Sequence, residues 1–274
     1  MGTVIWDGSA GDGDWSTGSN WDTGTAPISN DDAVINASAD DITAGMAQGA
    51  VDLNSLYVGP NFKGTIGSSG GPLVVAVSGT AGAALTYASG GGDSFITAGT
   101  NGIDKAEIQH VTESTFHATG GTYAILNTSN RCGPTRVTGT CTVTQLNHTS
   151  RSGYGLRAVA GTTLTTVYSS GQYMESAADI GTGHISGNLK MTGTAKAGTI
   201  INVWPKGNYI KHSSGTDVAV RVEKGGKFSP EGSPAGNYTV TTFTEVEGSD
   251  VAKDAPGVTG TFTTRNSVGV TSAV

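Results

Sequence analysis

An all-β solenoid is the fold class predicted by three features of this 274-residue sequence. Glycine occurs 43 times, about double its ordinary share of roughly 7%. Charged residues are only 14% of the chain, against about 25% in an average globular protein. Short β-branched runs, separated by Gly, Ser and Asn, recur in pairs at roughly 20–25 residues, the coil length of a β-helix. With 36% hydrophobic residues the chain can bury a core, and low charge argues against disorder. A β-sandwich is the competing architecture, because strands spaced about 8–12 residues apart fit it too.

The elements divide into three regions. Residues 1–52 form a Trp-rich acidic head, with Trp6, Trp15 and Trp21 concentrated at one end. Such large apolar side chains anchor packing, so they predict a cap or a docking surface. Residues 53–224 form the solenoid body. It opens with Leu53–Val58, Gly64–Gly67 and Leu73–Val77, broken by Gly, Pro and Asn in the manner of strand and turn punctuation. Further strands are predicted at Ala106–Val111, Tyr123–Asn127, Thr135–Thr138, Cys141–Leu146, Gly155–Val159 and Thr163–Tyr168. Beyond these come Gln172–Glu175, His184–Ser186, Leu189–Thr192, Thr199–Val203, Tyr209–Lys211 and Val218–Val222. Gly allows the sharp corners between them. Residues 225–274 start with a Pro/Gly boundary at Gly225–Gly236, continue as one long alternating strand at Tyr238–Val246, and end in an extended arm from Val251, ordered only where something covers it.

Charge is unevenly spread. The net charge is −7, which disfavours a phosphate-binding surface, and no nucleic-acid partner is expected. Residues 1–62 hold nine Asp and no Lys or Arg. Ser114–Met174 holds no acid but carries Arg131, Arg136, Arg151 and Arg157. Two readings follow: solvated surface of both signs, or intersubunit contacts in which these arginines meet the acidic head of a neighbouring copy. The N-terminus lacks the basic and apolar regions of a secretory signal, and no run approaches the roughly 18 apolar residues of a membrane span. Synthesis in a cytoplasm without membrane association is expected. Cys132 and Cys141 show no CxxC pattern and are expected to be buried thiols, although one disulfide between adjacent strands is geometrically allowed.

Catalytic signatures are sparse. Asp7, Asp12 and Asp14 lack the spacing and distal Glu of an EF-hand and predict a solvated turn. Asp31-Asp32 and Asp40-Asp41 could offer the two carboxylates of a glycosidase, but they lie in the head, outside the lateral face a polysaccharide would track. His110, His117, His148, His184 and His212 form neither HxH nor HExxH. No enzyme activity, cofactor or metal is therefore expected. Trp204, which ends the apolar run Ile200–Val203, is expected in the core or at a subunit interface, with a sugar-stacking platform as the alternative.

The head resembles the W-x-G … G-x-W … N-W … P … D-x-A-x-I pattern that opens many bacterial and phage β-solenoid proteins, including autotransporter-type passengers. Trp6, Gly13, Trp15, Asn20, Trp21, Pro27, Asp31, Ala33 and Ile35 carry it. The following Leu56–Gly59 and Gly64–Gly70 resemble segments of tailed-bacteriophage virion proteins. This resemblance, over residues 1–77, implies a capsid decoration (cement) protein: a homotrimer on the capsid surface, with the major capsid protein as partner. The resemblance leaves two alternatives, a tail-fibre adhesin that binds host glycans and a polysaccharide depolymerase.

Overall fold

The computed structural model describes residues 2–79, 82, 84–129, 131–151, 155–231, 237–252 and 259–269. The architecture is a parallel β-solenoid, and the single helical element among these residues is a 3-10 turn at Gly18–Asn20. The chain forms two compact units, Met1–Thr144 and Gln145–Val274.

In the first unit the strands are β1 (Thr3–Ile5), β2 (Asp32–Ile35), β3 (Ala47–Leu53), β4 (Ser55–Val58), β5 (Leu73–Val77), β6 (Ala84–Tyr87), β7 (Ser94–Ile108), β8 (Phe116–Gly120), β9 (Thr122–Thr128) and β10 (Thr135–Val137). They stack as two parallel ladders, β1-β2-β4-β6-β7-β9 and β3-β5-β7-β8-β10. The long β7 serves both, turning the corner near Gly102, whose φ of 83° suits glycine. Because side chains alternate across a strand, each strand sends every second residue inward. Ala33, Leu56, Leu85, Ala106 and Leu126 stack one above another in register, all fully buried. Burying one such Leu stabilises by about 1.5–3 kcal/mol.

The Trp-rich head supplies the first rungs of this stack, since β1 pairs with β2 and β2 with β4. Trp6, Trp15 and Trp21 are 1%, 0% and 2% exposed. The Trp21 ring meets Trp6 and Trp15 edge-on at 5.2 and 4.9 Å, and its Nε1 donates to the Trp15 carbonyl at 2.8 Å. These three are packing residues and are not available as a docking surface. Asn20 explains the rest of the head pattern. Its side-chain Nδ2 donates to Asp12 and to the Asp14 carbonyl, its Oδ1 accepts from Ala10 N–H, and its own carbonyl accepts from Asp7 and Gly8.

The second unit begins within β11 (Thr142–His148). It continues with β12 (Leu156–Ala158), β13 (Thr163–Ser169), β14 (Met174–Ser176), β15 (Asp179–Ile185), β16 (Asn188–Gly193), β17 (Ala197–Val203), β18 (Asn208–Ser213), β19 (Thr216–Val222), β20 (Lys227–Pro230), β21 (Asn237–Val246), β22 (Asp250–Val251) and β23 (Thr259–Val268). Leu156, Met174, Leu189, Tyr209 and Phe228 stack in one ladder. Val167, Gly183, Ile201, Val220 and Phe243 stack in the other. Gly183 is there to admit its neighbour, because a Cβ would lie 2.6 Å from Ile201 Cδ1. Coil length varies: Leu164 lies beside Ile180, Ile201 beside Val220, and Val220 beside Phe243.

The alternating strand expected at Tyr238–Val246 is β21. Of the C-terminal arm, Thr259–Val268 is β23, laid on β21 in register from Asn237↔Thr259 to Val246↔Val268. Phe262 packs edge-on to Tyr238 and tilted against Phe243. That segment therefore extends the coils. The other arm residues, 253–258 and 270–274, and residues 232–236 of the Pro/Gly boundary lie outside the described residues.

Candidate functional site

All nine acids of residues 1–62 accept hydrogen bonds from their own chain. Asp7, Asp12 and Asp14 cap their own turns through the N–H groups of Ser9, Asp14 and Ser16. Asp22 accepts from Ile5 N–H and Asp31 from Gly2 and Ile28 N–H. Asp32 accepts from Asn54 and Ser55, Asp40 from Ser38, and Asp41 from Thr65 N–H. Asp52 takes Ser78 and, 49 residues away, Asn101. Asp7 and Asp12 are held below the usual carboxylate range by these bonds. The pairs Asp31-Asp32 and Asp40-Asp41 thus tie coils and turns together. Hydrogen bonds cancel no charge, so the head remains an acidic surface.

The four arginines differ in setting. Arg131 and Arg151 are exposed and Arg136 is half-buried on β10. Arg157, on β12, is already engaged: its Nε and Nη2 donate to Glu175 Oε1 at 2.9 and 2.6 Å, on the paired position of β14. The Tyr173 hydroxyl donates to the other oxygen of Glu175 at 2.6 Å, and burial together with that carboxylate pushes the phenol up to about 12. Arg157 thus has a partner within its own chain. Cys132 and Cys141 are buried free thiols, and burial raises Cys141 to about 12. That is far above the range of a reactive cysteine.

Sequence reasoning missed a buried charged cluster in the second unit. Lys211 and Asp217 are both fully buried, with Nζ 2.9 Å from Oδ1. The ammonium also donates to the Gly215 carbonyl at 2.7 Å. Asp217 accepts further from the Tyr209 hydroxyl at 2.6 Å and from Ala197 N–H at 2.8 Å. Burial pulls Lys211 down while Asp217 pulls it back, and burial with the adjacent carboxylate raises Tyr209 well above its usual value. Three of the groups sit on consecutive inward positions of β18 and β19, where the Tyr209–Phe228 stack sets the register and turns Lys211 inward with Tyr209.

Two histidines occupy matching corners. His110 Nε2 lies 2.8 Å from the Ser114 carbonyl and His148 Nε2 lies 2.8 Å from the Tyr173 carbonyl. A carbonyl only accepts, so Nε2 carries the proton in both rings. Each ring fills the space that a side chain would take at Gly133 or Gly171, the glycine in the next coil. Burial lowers both to about 4, from an ordinary 6.5. The unfolded chain then binds more protons than the native one between these values. Stability is therefore full above pH ~6.5, falls as the pH drops toward 4, and levels below it, at up to about 1.4 kcal/mol per pH unit for each histidine. Denaturation midpoints recorded from pH 7.5 to 4 should fall through this window, and a His148→Gln variant should have a shallower slope. Equal slopes would exclude the role given to His148.

Trp204 departs from the expected core or interface position: it is 43% exposed. The apolar run ends at Val203, and Trp204 opens a turn in which Gly207 N–H donates to the Trp204 carbonyl at 2.9 Å. Pro205 and Lys206, the latter at φ 70°, are the central residues, the arrangement of a type II turn. Trp204 forms one wall of a groove of about 510 Å³. The other wall is Tyr168, 44% exposed, stacked on His184 at 4.8 Å with planes 9° apart. His117 and Phe95 make a similar outward stack in the first unit, at 4.1 Å.

No family model, curated protein or solved structure matches this chain. No helix among the described residues is long and apolar enough to cross a membrane, and no group of three or more His, Cys, Asp or Glu among them could hold a metal ion.

Proposed function

We propose that this chain is a non-enzymatic structural protein of a tailed-phage particle, a decoration solenoid that reinforces the capsid. One observation carries the reading most: within each unit, every coil is bonded to the next by a parallel ladder and by stacked buried side chains. Such a scaffold resists deformation along its stack. The outward positions are dominated by hydroxyls and amides, and the acids of the head are spent on holding turns. The Trp/Gly head pattern of phage solenoids supports the same role. The partner would be the major capsid protein, engaged by trimers at local three-fold points. Many weak contacts repeated over a lattice then sum to strong attachment.

Electron microscopy of the purified particles, labelled with antibody against this chain, tests the proposal. Label distributed over the whole capsid is expected. Label confined to the tail tip would make the protein an adhesin, and unlabelled particles would remove it from the virion.

A further inference from the structure

We infer that the groove between Trp204 and the Tyr168–His184 stack binds a neutral oligosaccharide and holds it without cleaving it. The inference stands independently of where the protein sits on a particle.

The groove is built along the coil-stacking direction. Tyr168, His184 and Asn202 occupy the same position on three successive rungs. Two residues further along each rung the chain turns the corner, at Ser170, Ser186 and Trp204. Backbone bonds fix those corners: Ser186 N–H donates to Ser169 and Trp204 N–H to Ile185, at 2.8 and 2.7 Å. Two small serines followed by an indole make a floor that ends in a raised aromatic wall. Rungs recur about every 4.8 Å, close to the length of one hexopyranose unit. Successive sugars of a chain lying in the groove therefore meet successive coils at the same offset.

The lining has the chemistry of neutral sugar recognition. Trp204 and Tyr168 present aromatic surface to solvent, suited to the C–H face of a pyranose. Asn147, Thr149, Ser170 and Ser186 add amide and hydroxyl groups, which can both donate and accept and so match sugar hydroxyls. No Asp, Glu, Lys or Arg lines the groove. A uronate or sulfated glycan would find no counter-charge there, and a glycosidase would find neither of its two carboxylates.

Trp204 is also held in advance. Pro205 restricts the residue before it to extended backbone, and the turn is closed by Gly207. Lys206 takes a left-handed φ of 70° where the following corners use Gly225 and Gly248, at 77° and 81°. These three positions are linked by N–H to carbonyl bonds, Lys206 to Gly225 and Gly225 to Gly248, each 2.9 Å. A lysine in that conformation is unfavourable, yet the turn that aims the indole retains it. A ring fixed in place loses little entropy when a ligand stacks on it.

The test titrates the full chain with cellohexaose, maltohexaose and chitohexaose, and with hexagalacturonate as the acidic comparison. Trp6, Trp15 and Trp21 are buried, so a change in tryptophan emission reports on Trp204. A saturable change is expected with at least one neutral hexasaccharide and none with the acidic one. By calorimetry, Trp204→Ala should weaken that binding about tenfold or more, in line with loss of a stacked ring, while Trp204→Phe keeps most of it. Both variants should keep the wild-type circular dichroism, since the side chain is at an exposed corner. Reducing sugar should not accumulate over the titration. Four results would overturn the inference: no saturable change with any neutral hexasaccharide, tighter binding of hexagalacturonate, unchanged affinity in Trp204→Ala, or conversion of an oligomer to a monomer by Trp204→Ala, which would make the groove a contact between copies.

Discussion

Replacing Asp217 with Ala should destabilise the protein by about 3–5 kcal/mol, the usual cost of breaking a buried ion pair from one side. The change strands an ammonium that has 0% exposure, together with the Tyr209 hydroxyl and the Ala197 N–H that Asp217 satisfied. At roughly 2 °C per kcal/mol for a chain of this size, the melting midpoint should fall by ~6–12 °C. The companion variant is informative. Tyr209→Phe, Lys211→Met and Asp217→Leu together remove every charge and hydroxyl of the cluster, and such apolar replacements are often neutral or better. The triple variant should recover most of the loss. A midpoint for Asp217→Ala within about 1 °C of wild type would show that Lys211 is not buried as a charged group.

Replacing Trp21 with Ala should cost about 3–5 kcal/mol, as large-to-small changes at packed aromatics do. Trp21 is the middle ring of the head cluster, so its removal unsupports Trp6 and Trp15 together and frees the Trp15 carbonyl. Trp21→Phe should fall between, because it keeps a ring but no Nε1 donor. Trp204→Ala serves as the control, since its exposed corner position predicts a change within about 0.5 kcal/mol. Similar melting curves for Trp21→Ala and Trp204→Ala would contradict the packing described for the head.

The solenoid could be read from the sequence because its rule is local. Strands such as Leu189–Thr192 and Val218–Val222 alternate apolar and polar residues and are bounded by Gly or Ser, and a parallel stack preserves that alternation. The site features were illegible for a different reason. Tyr209, Lys211 and Asp217 read as surface residues on two short strands, and only the stacking of Tyr209 on Phe228 turns Lys211 inward and leaves Ile210 outward. The run Ile200–Val203 suggested a buried Trp204, but Pro205 ends the strand there and the indole falls outside the corner. The equivalence of His110 and His148 was hidden because the coils differ in length. The acids of the head looked like a charged surface, whereas their partners lie up to 49 residues away, a distance over which local pattern carries no information.

The unequal coils carry a consequence for how such a chain can change. Sixteen residues separate Leu164 from its neighbour Ile180, and twenty-three separate Val220 from Phe243, yet both pairs keep the same inward face. Residues added at a corner leave every rung in register, whereas one residue added within a rung reverses the facing of all that follow until the next corner. Lineages of this protein can therefore lengthen, shorten or decorate corners freely while the rungs stay fixed in length. The corners, Trp204 among them, are the part of the chain open to acquiring new recognition, and the same corners are where a foreign peptide could be grafted without disturbing the stack.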